Sequence, residues 1–429
     1  MPIYFDHSAT TPVDPAVLSA MLPYFSEKFG NASSIHTYGQ TAAVAVDEAR
    51  LLASRFFGCR PTEVIFTSGA TEANNIAIKG LIKGLKLKGV EKPHVITSAV
   101  EHDAVLEPIN NLAAAGEIEA TIAGVDERGV INLEYLKSII TDQTALISVM
   151  YVNSEVGTIQ PIAEIGKLVA EVNAARQAIY DKLPTGERTT KPAKLYFHTD
   201  ATQAVNFLDC NIDTLGVDML SMSAHKIYGP KGSGALIVKS GLPISALVHG
   251  GHHERNLRSG TLNVPGIVGL AKALELISET SFNHNKQIKE VRDYLIERVI
   301  GEITGAKLTT AVAVATPAHA HIVFNGAEGE SILMALDLDA GIAVSTGSAC
   351  ASNTLGASKV LLAMGIKQED THGAIRFSLG KDNTKAEVDE LMQHLPDIVQ
   401  RFRAMAPDLT PFAGRTFAAE HHEEEVEQI

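Results

Sequence analysis

The sequence predicts an α/β fold in which a large, mostly parallel sheet wound with helices is followed by a smaller α+β lobe. Three observations carry this. Five β-rich apolar runs each end in a polar turn that leads into a helical pattern, as parallel strands joined by crossover helices require. Beyond about residue 262 the pattern changes to one long helix followed by three short strands. The 429 residues are 45% hydrophobic and 20% charged, the balance of a chain that can bury a sizeable core.

The first five strands are expected at Val64 to Thr67, His94 to Thr97, Leu146 to Val152, Leu195 to Thr199 and Asp218 to Met222. Their carboxyl ends should line one crevice, because ligands of open parallel sheets gather where the strands end. A helix is expected to begin at about Ala73. The smaller lobe is expected to hold strands near His321 to Phe324, Gly341 to Val344 and Ala374 to Leu379. Between Asn173 and Lys194 a polar stretch around Pro184 and Gly186 has turn formers and charges without periodicity, which reads as an exposed insertion. Residues 411–429, with the run Glu420 to Glu425, can bury little apolar area and are expected to form a mobile acidic tail.

Charge narrows the partners. A formal net charge of −14 leaves no broad basic field for nucleic acid or an anionic membrane, so small molecules and proteins are the expected partners. No basic segment with an apolar run opens the sequence, and no later stretch approaches a membrane-spanning length; a cytoplasmic protein is expected. Cys59, Cys210 and Cys350 are odd in number and widely spaced, which suggests reduced thiols rather than disulfides. None of the sixteen histidines lies in a His-Glu-x-x-His pattern, and no metal site is expected.

The chemistry concentrates at the strand ends. Val64 to Thr67 runs into Ser68-Gly69-Ala70-Thr71-Glu72, where backbone amides and the Thr71 hydroxyl could cradle a phosphate at a helix start, or merely cap it. The next strand ends near His102, whose flat imidazole could stack on an aromatic ring or serve as a cap. Leu195 to Thr199 delivers Asp200, a carboxylate directly after an apolar strand, whose burial implies a cationic partner. Ser223-Ala224-His225-Lys226 ends the fifth strand. A lysine there can lose its proton and attack a carbonyl, or it can snorkel to the rim. One cofactor, pyridoxal phosphate, needs all of these together: a phosphate cradle, a lysine for its aldehyde, a carboxylate for its pyridine nitrogen and a stacking partner.

From Tyr4 to about Glu390 the chain resembles the cysteine desulfurases of the NifS and IscS type, class-V aminotransferase relatives among the fold-type-I pyridoxal-phosphate enzymes. The motifs that carry the resemblance are Asp6-His7-Ser8-Ala9-Thr10-Thr11-Pro12, Phe29 to His36, Phe66 to Glu72, Glu101-His102, Asn153 to Thr158, Ser223 to Lys226, Arg258 to Thr261, Gly347-Ser348-Ala349-Cys350 and Arg376 to Gly380. The resemblance implies a seven-stranded-type large sheet. It also implies a cofactor-binding domain over 15–262, and a small domain formed by 1–14 and 263–410 that carries Cys350. It further implies that Lys226 holds the cofactor's aldehyde carbon, that Asp200 pairs with the ring nitrogen, that Gln203 meets the ring hydroxyl and that His102 stacks on the ring. Ala70, Thr71, Ser223 and His225 would hold the phosphate, and Thr261 would reach the phosphate of the other subunit of a homodimer. Asn153 and Arg376 would orient L-cysteine, the planar guanidinium suiting its α-carboxylate.

Cys350 selects among reactions. It lies in a small, polar stretch, Ser345 to Gly356, that suits a loop better than a core, although a lone cysteine is often an inert buried thiol. The resemblance makes it the thiolate that takes the substrate's sulfur as a persulfide and passes it to an acceptor. That acceptor would be an iron-sulfur scaffold protein, or a protein of tRNA thiolation or another thio-cofactor pathway. Lys226, Asp200 and Arg376 would serve an aminotransferase or a selenocysteine lyase equally well; Cys350 favours sulfur transfer. Two departures from the family pattern stand out: Ser154 replaces a common second Asn, and Gly250 to Leu257 departs from the usual Gly-Gly-Gly-Gln-Glu-Arg-Gly loop.

Overall fold

The computed structural model describes residues 2–183, 193–347 and 357–405. The centre of the expected insertion, the Cys350 segment and the expected tail lie outside these residues. The strands in chain order are β1 (Ile3–Tyr4), β2 (Val64–Thr67), β3 (His94–Ser98), β4 (Glu119–Ala123), β5 (Thr144–Ser148), β6 (Tyr196–Asp200), β7 (Met219–Ser223), β8 (Gly234–Val238), β9 (Ala306–Leu308), β10 (His319–Phe324), β11 (Ile342–Ala343) and β12 (Ala374–Ser378).

Seven of them form the large sheet in the order β2-β8-β7-β6-β5-β3-β4. Along it β8 runs antiparallel to β2 and β7, while the contacts from β7 through β4 are parallel. Helices cover both faces, so the inner strands are buried along their whole length and read as unbroken apolar runs. Alternate residues divide between the two faces. Val64, Phe66, Ile96, Ile147, Phe197 and Leu220 join the core under the helices Thr37–Phe56 and Val264–Glu302. Ile65, Val95, Leu146, Tyr196 and Met219 join the core under the helical run from Ala70 to Leu87 and the helix Asp103–Ala114.

A second core gathers around the antiparallel sheet β12-β10-β9 and the helices Gly329–Ala340 and Lys385–Met405. The helix Val264–Glu302 serves both cores. Its residues from Val264 to Ile277 pack with the large sheet, and those from Ile288 to Val299 pack with the small one. The start of the chain also belongs here, because β1 pairs in parallel with β11 and Asp6 bridges to Ser378.

Three expected elements differ from the structure. The stretch expected as an insertion from Asn173 is helical as far as Lys182, the end of the helix Ile162–Lys182, on which Asn173 and Arg176 donate to the Leu195 and Ala193 carbonyls. The strand expected over Leu146 to Val152 ends at Ser148. Val149, Met150 and Val152 are as buried as the strand itself, so their apolar character reflects packing rather than strand geometry. The helix expected at about Ala73 begins at Ala70, because Gly69 adopts φ 154° and the Glu72 carboxylate, accepting the Ser68 N–H at 2.6 Å, closes the first turn.

Candidate active site

The parallel strands end on one side of the large sheet, and most of the described residues singled out by sequence lie at or near these ends. Beyond β2, Gly69 precedes a helical run that continues from Ala70 through a π turn at Ile76–Gly80 to Leu87. The N–H groups of Ala70, Thr71 and Glu72 fall in the first turn, where a helix has no carbonyl of its own to offer. A Cβ built on Gly69 would meet the Ser223 hydroxyl at 3.6 Å, an ordinary contact, so this turn lies directly beside the end of β7.

One turn into the same run, Asn74 is fully buried and donates from Nδ2 to Asp200 Oδ2 at 2.7 Å. Asp200 Oδ1 accepts the Thr202 N–H at 2.9 Å. In place of the cationic partner expected from the sequence, Asp200 thus receives two neutral donors. Asn74 Oδ1 and Thr202 Oγ1 are buried with no hydrogen-bond partner. Beneath Asp200, His198 bridges Ser148 Oγ at 2.8 Å and Ser221 Oγ at 3.0 Å, and burial lowers its pKa to about 4, so it is neutral.

Lys226 follows β7 and donates to the carbonyls of Ser8 and Ala9 at 2.5 and 2.7 Å. Gln203 Nε2 donates to the same Ser8 carbonyl at 2.9 Å, so the segment after β1 ties both residues together. His225 meets Thr10 Oγ1 at 3.1 Å; burial, with the charges of Lys226 and Lys231, lowers its pKa to about 4.

His102 caps the helix Asp103–Ala114, its Nδ1 accepting the Ala104 N–H at 3.0 Å. The proton of a neutral ring is therefore on Nε2. Its neighbour Glu101 accepts Ser98 Oγ–H at 2.6 Å and Met150 N–H at 2.8 Å on Oε1, while Oε2 is buried with no hydrogen-bond partner. Burial raises the Glu101 carboxyl to about 8. Asn153 is buried and spends its side chain on the chain itself: Nδ2 donates to Val100 O at 3.0 Å, and Oδ1 accepts the Glu155 and Val156 N–H groups at 2.9 Å each. Arg376, on β12, donates to Ser154 O at 3.0 Å, which brings it beside Asn153. Thr261 stands apart, exposed on the loop that precedes the helix Val264–Glu302. On that loop Arg258 pairs with Glu72 at 2.9 Å, and Glu254, held at φ 42° in the altered Gly250 to Leu257 stretch, accepts the Phe66 N–H at 2.7 Å.

Asn74, Asp6 and Ser8 were not singled out as individual site residues in the sequence. Asn74 carried one usable signal: it lies one helical turn beyond Ala70 and Thr71, and so faces the same strand ends.

A family match accounts for this arrangement. The aminotransferase class-V family matches residues 3–178 and 180–391. The chain is 43% identical over 405 residues to a cysteine desulfurase IscS of Dictyoglomus turgidum, covering 94% of this chain and 96% of that one. It is 42% identical over 414 residues to a cysteine desulfurase IscS of Methanosarcina thermophila, covering 96% of each. The chain belongs to the class-V aminotransferases, among the IscS-type cysteine desulfurases. Among solved structures, a NifS-like protein superposes with a TM-score of 0.82 at 35% identity, covering 94% of this chain and all of that one. SspA in complex with cysteine superposes with a TM-score of 0.74 at 33% identity.

Cysteine desulfurases of this family depend on pyridoxal phosphate, and the residues present fit it. The first-turn amides beside the Ser223 hydroxyl suit a phosphate, a carboxylate held by neutral donors can accept a ring N–H, and an amine lies at the adjacent strand end. The polar atoms left without partners, Asn74 Oδ1 and Thr202 Oγ1, lie around that carboxylate.

Proposed function

We propose that this cysteine desulfurase takes sulfur from free L-cysteine, releases alanine, and holds the sulfur as a persulfide on Cys350. The observation that carries the reading is the convergence, at the ends of the neighbouring strands β6 and β7, of the Asp200 carboxylate and the Lys226 amine beside the first helical turn at Ala70 and Thr71.

Pyridoxal phosphate, when bound, supplies an electron sink that acidifies the substrate's α-proton. Ala70, Thr71, Ser223 and His225 would hold its phosphate, Asp200 its ring nitrogen, Gln203 its ring hydroxyl and His102 its face. Lys226, as the neutral amine, removes the α-proton. Arg376 orients the substrate, the guanidinium taking the α-carboxylate; Asn153, whose side chain is satisfied within the chain, would have to release Val100 O to join it. The Cys350 thiolate then attacks the substrate sulfur: the new S–S bond forms as the substrate C–S bond breaks, and the electron pair stays on the β-carbon, which takes a proton and becomes the methyl group of alanine. Burial pushes the Cys59 thiol up to about 12 and raises Cys210 as well, which leaves both poor nucleophiles and supports Cys350 in that role.

Four further readings belong to this proposal. The chain works as a homodimer, since Phe25, Phe29, Ile35, Tyr38 and Val44 are all more than half exposed, an apolar surface of the kind that covers itself with a second subunit; Thr261 would then reach the partner's phosphate site. Among the described residues, the cofactor-binding lobe would comprise the stretch from 15 to 262 together with the part of the next helix from Val264 to Ile277 that packs on the large sheet, and the other lobe the opening residues and the remainder. Sulfur passes to a protein acceptor, such as an iron-sulfur scaffold, in keeping with the resemblance of the Cys350 stretch to that branch of the family. The cytoplasm is the site of action, in keeping with the free thiols of Cys59 and Cys210.

Purified enzyme incubated with L-cysteine and dithiothreitol should release alanine and sulfide in equal amounts, with the persulfide mapping to Cys350. Cys350→Ala should still take up cofactor and respond to cysteine in its absorbance, yet yield no sulfide. Alanine that forms only when a keto acid is added would make the protein an aminotransferase, and a persulfide on Cys59 or Cys210 would reassign the nucleophile.

A further inference from the structure

Arg376 already has a carboxylate partner before any substrate arrives. Its side chain is buried on β12, with Nη2 donating to Asp6 Oδ1 at 2.6 Å and Nη1 donating to Ser154 O at 3.0 Å. Nε is buried with no hydrogen-bond partner. The backbone fixes Asp6 in this place: Asp6 bridges to Ser378 on the strand that carries Arg376, and β1 just before it pairs with β11. The Asp6 side chain is 19% exposed against 6% for Arg376, so the pair opens toward solvent on the Asp6 side.

The other ionisable groups around the guanidinium do little to share this duty. His319 and His321 lie on β10, which pairs with β12, and burial lowers both to about 3, so they are neutral. Glu155 is held by Ser358 Oγ–H at 2.6 Å, and burial raises its carboxyl to about 7. Asp6 is the carboxylate in direct contact.

We propose that Asp6 is a resident counter-ion that holds Arg376 until substrate arrives and sets how tightly an α-carboxylate binds. The inference rests on the reading of Arg376 as the carboxylate site. A buried guanidinium left bare would be costly, which explains a resident anion. Two carboxylates on one guanidinium repel each other, so an incoming α-carboxylate must displace Asp6 or share Arg376 with it against that repulsion. Asp6 thus discriminates by charge: it penalises ligands with a carboxylate and is indifferent to amines that lack one.

Asp6→Asn keeps an oxygen acceptor for Nη2 and removes the charge. In the cofactor-loaded enzyme, KM for L-cysteine should fall about threefold or more, with the change on KM rather than kcat. The inhibition constant of L-alanine should fall in parallel, while that of ethylamine, which has no carboxylate, should not move. A residue that merely shaped the loop would move both inhibitors together. Asp6→Ser serves the same comparison should the Asn variant fail to fold. An unchanged or raised KM for L-cysteine, or parallel changes for alanine and ethylamine, overturns the inference. Arg376→Gln separates the two layers. If it leaves KM for L-cysteine unchanged, the carboxylate role of Arg376 falls and the Asp6 inference with it. If it raises KM while Asp6→Asn fails to lower it, only the Asp6 inference falls.

Discussion

The two sides of the site handle charge in opposite ways. On the large sheet, the Asp200 carboxylate is held by an amide and a backbone N–H, both neutral. On the small sheet, the Arg376 guanidinium is held by a full opposite charge, Asp6. A carboxylate with neutral donors keeps its charge for a cation and gains an ion pair when one arrives. A guanidinium with a resident carboxylate must exchange that partner or take a second anion against their mutual repulsion. The first arrangement suits a cofactor that binds once and stays; the second suits a substrate that must come and go in every turnover.

Substitutions can break this contrast at its strongest points. The largest effect belongs to Lys226, which stands at the end of β7 between the two sides. Lys226→Ala should lower the rate of alanine formation by about 10³-fold or more, since the proposed function makes the residue both attachment point and base. Borohydride reduction followed by peptide mass mapping should place the cofactor on Lys226 in the wild type and on no lysine in the variant; an adduct on Lys231 would refute the assignment. Next comes Asp200→Asn, which removes the charge but keeps the shape. It should cost about a hundredfold in kcat, with the cofactor still bound by absorbance. A variant of near wild-type rate would mean that Asp200 is a structural carboxylate like the other buried ones.

The smallest effect is on stability and isolates the buried acid below the cofactor site. The Glu101 carboxyl is raised by burial to about 8 from an ordinary 4.5. In the folded state it stays neutral while the unfolded chain ionises, so its contribution is fully present below about pH 4.5 and is lost as pH rises to about 8. Glu101→Gln should flatten that part of the stability curve by on the order of 2 kcal/mol, read by urea unfolding at several pH values. The neutral histidines act in the opposite sense: with His198 and His225 lowered to about 4, stability should fall as pH drops from 6.5 toward 4. An identical pH profile in Glu101→Gln would mean that the buried carboxyl is ionised in the fold.

Most of the large-sheet side was legible in the sequence, because buried parallel strands leave unbroken apolar runs and their ends are marked by polar residues. Val64 to Thr67 coincides with β2, and Asp200 and Lys226 stand at or just beyond strand ends, as their neighbours implied. Less legible were partners set by packing between distant segments. The donors to Asp200 come from Asn74 and Thr202, the first of them on another strand's helix. The acceptors for Lys226 are backbone carbonyls, which carry no residue signature at all. Asp6 was visible only as part of a motif. Its contact with Arg376 spans 370 positions of sequence, beyond the reach of any local pattern.

That span has a consequence for how the protein is made. Strands β2 through β8 lie between Val64 and Val238 and can pair while the ribosome is still adding later residues. Strand β1 and Asp6 cannot reach their places then, since Ile3 pairs with Ile342 and Asp6 meets Arg376 and Ser378. At the usual pace of synthesis the opening residues wait roughly half a minute for their partners to emerge. Ser8 to Thr11 have earlier partners, since Gln203, His225, Lys226 and Tyr228 all precede Val238. The carbonyls that hold Lys226 can thus be in place while Asp6 still waits for Arg376, and the last act of folding is to close the ion pair that the small sheet completes.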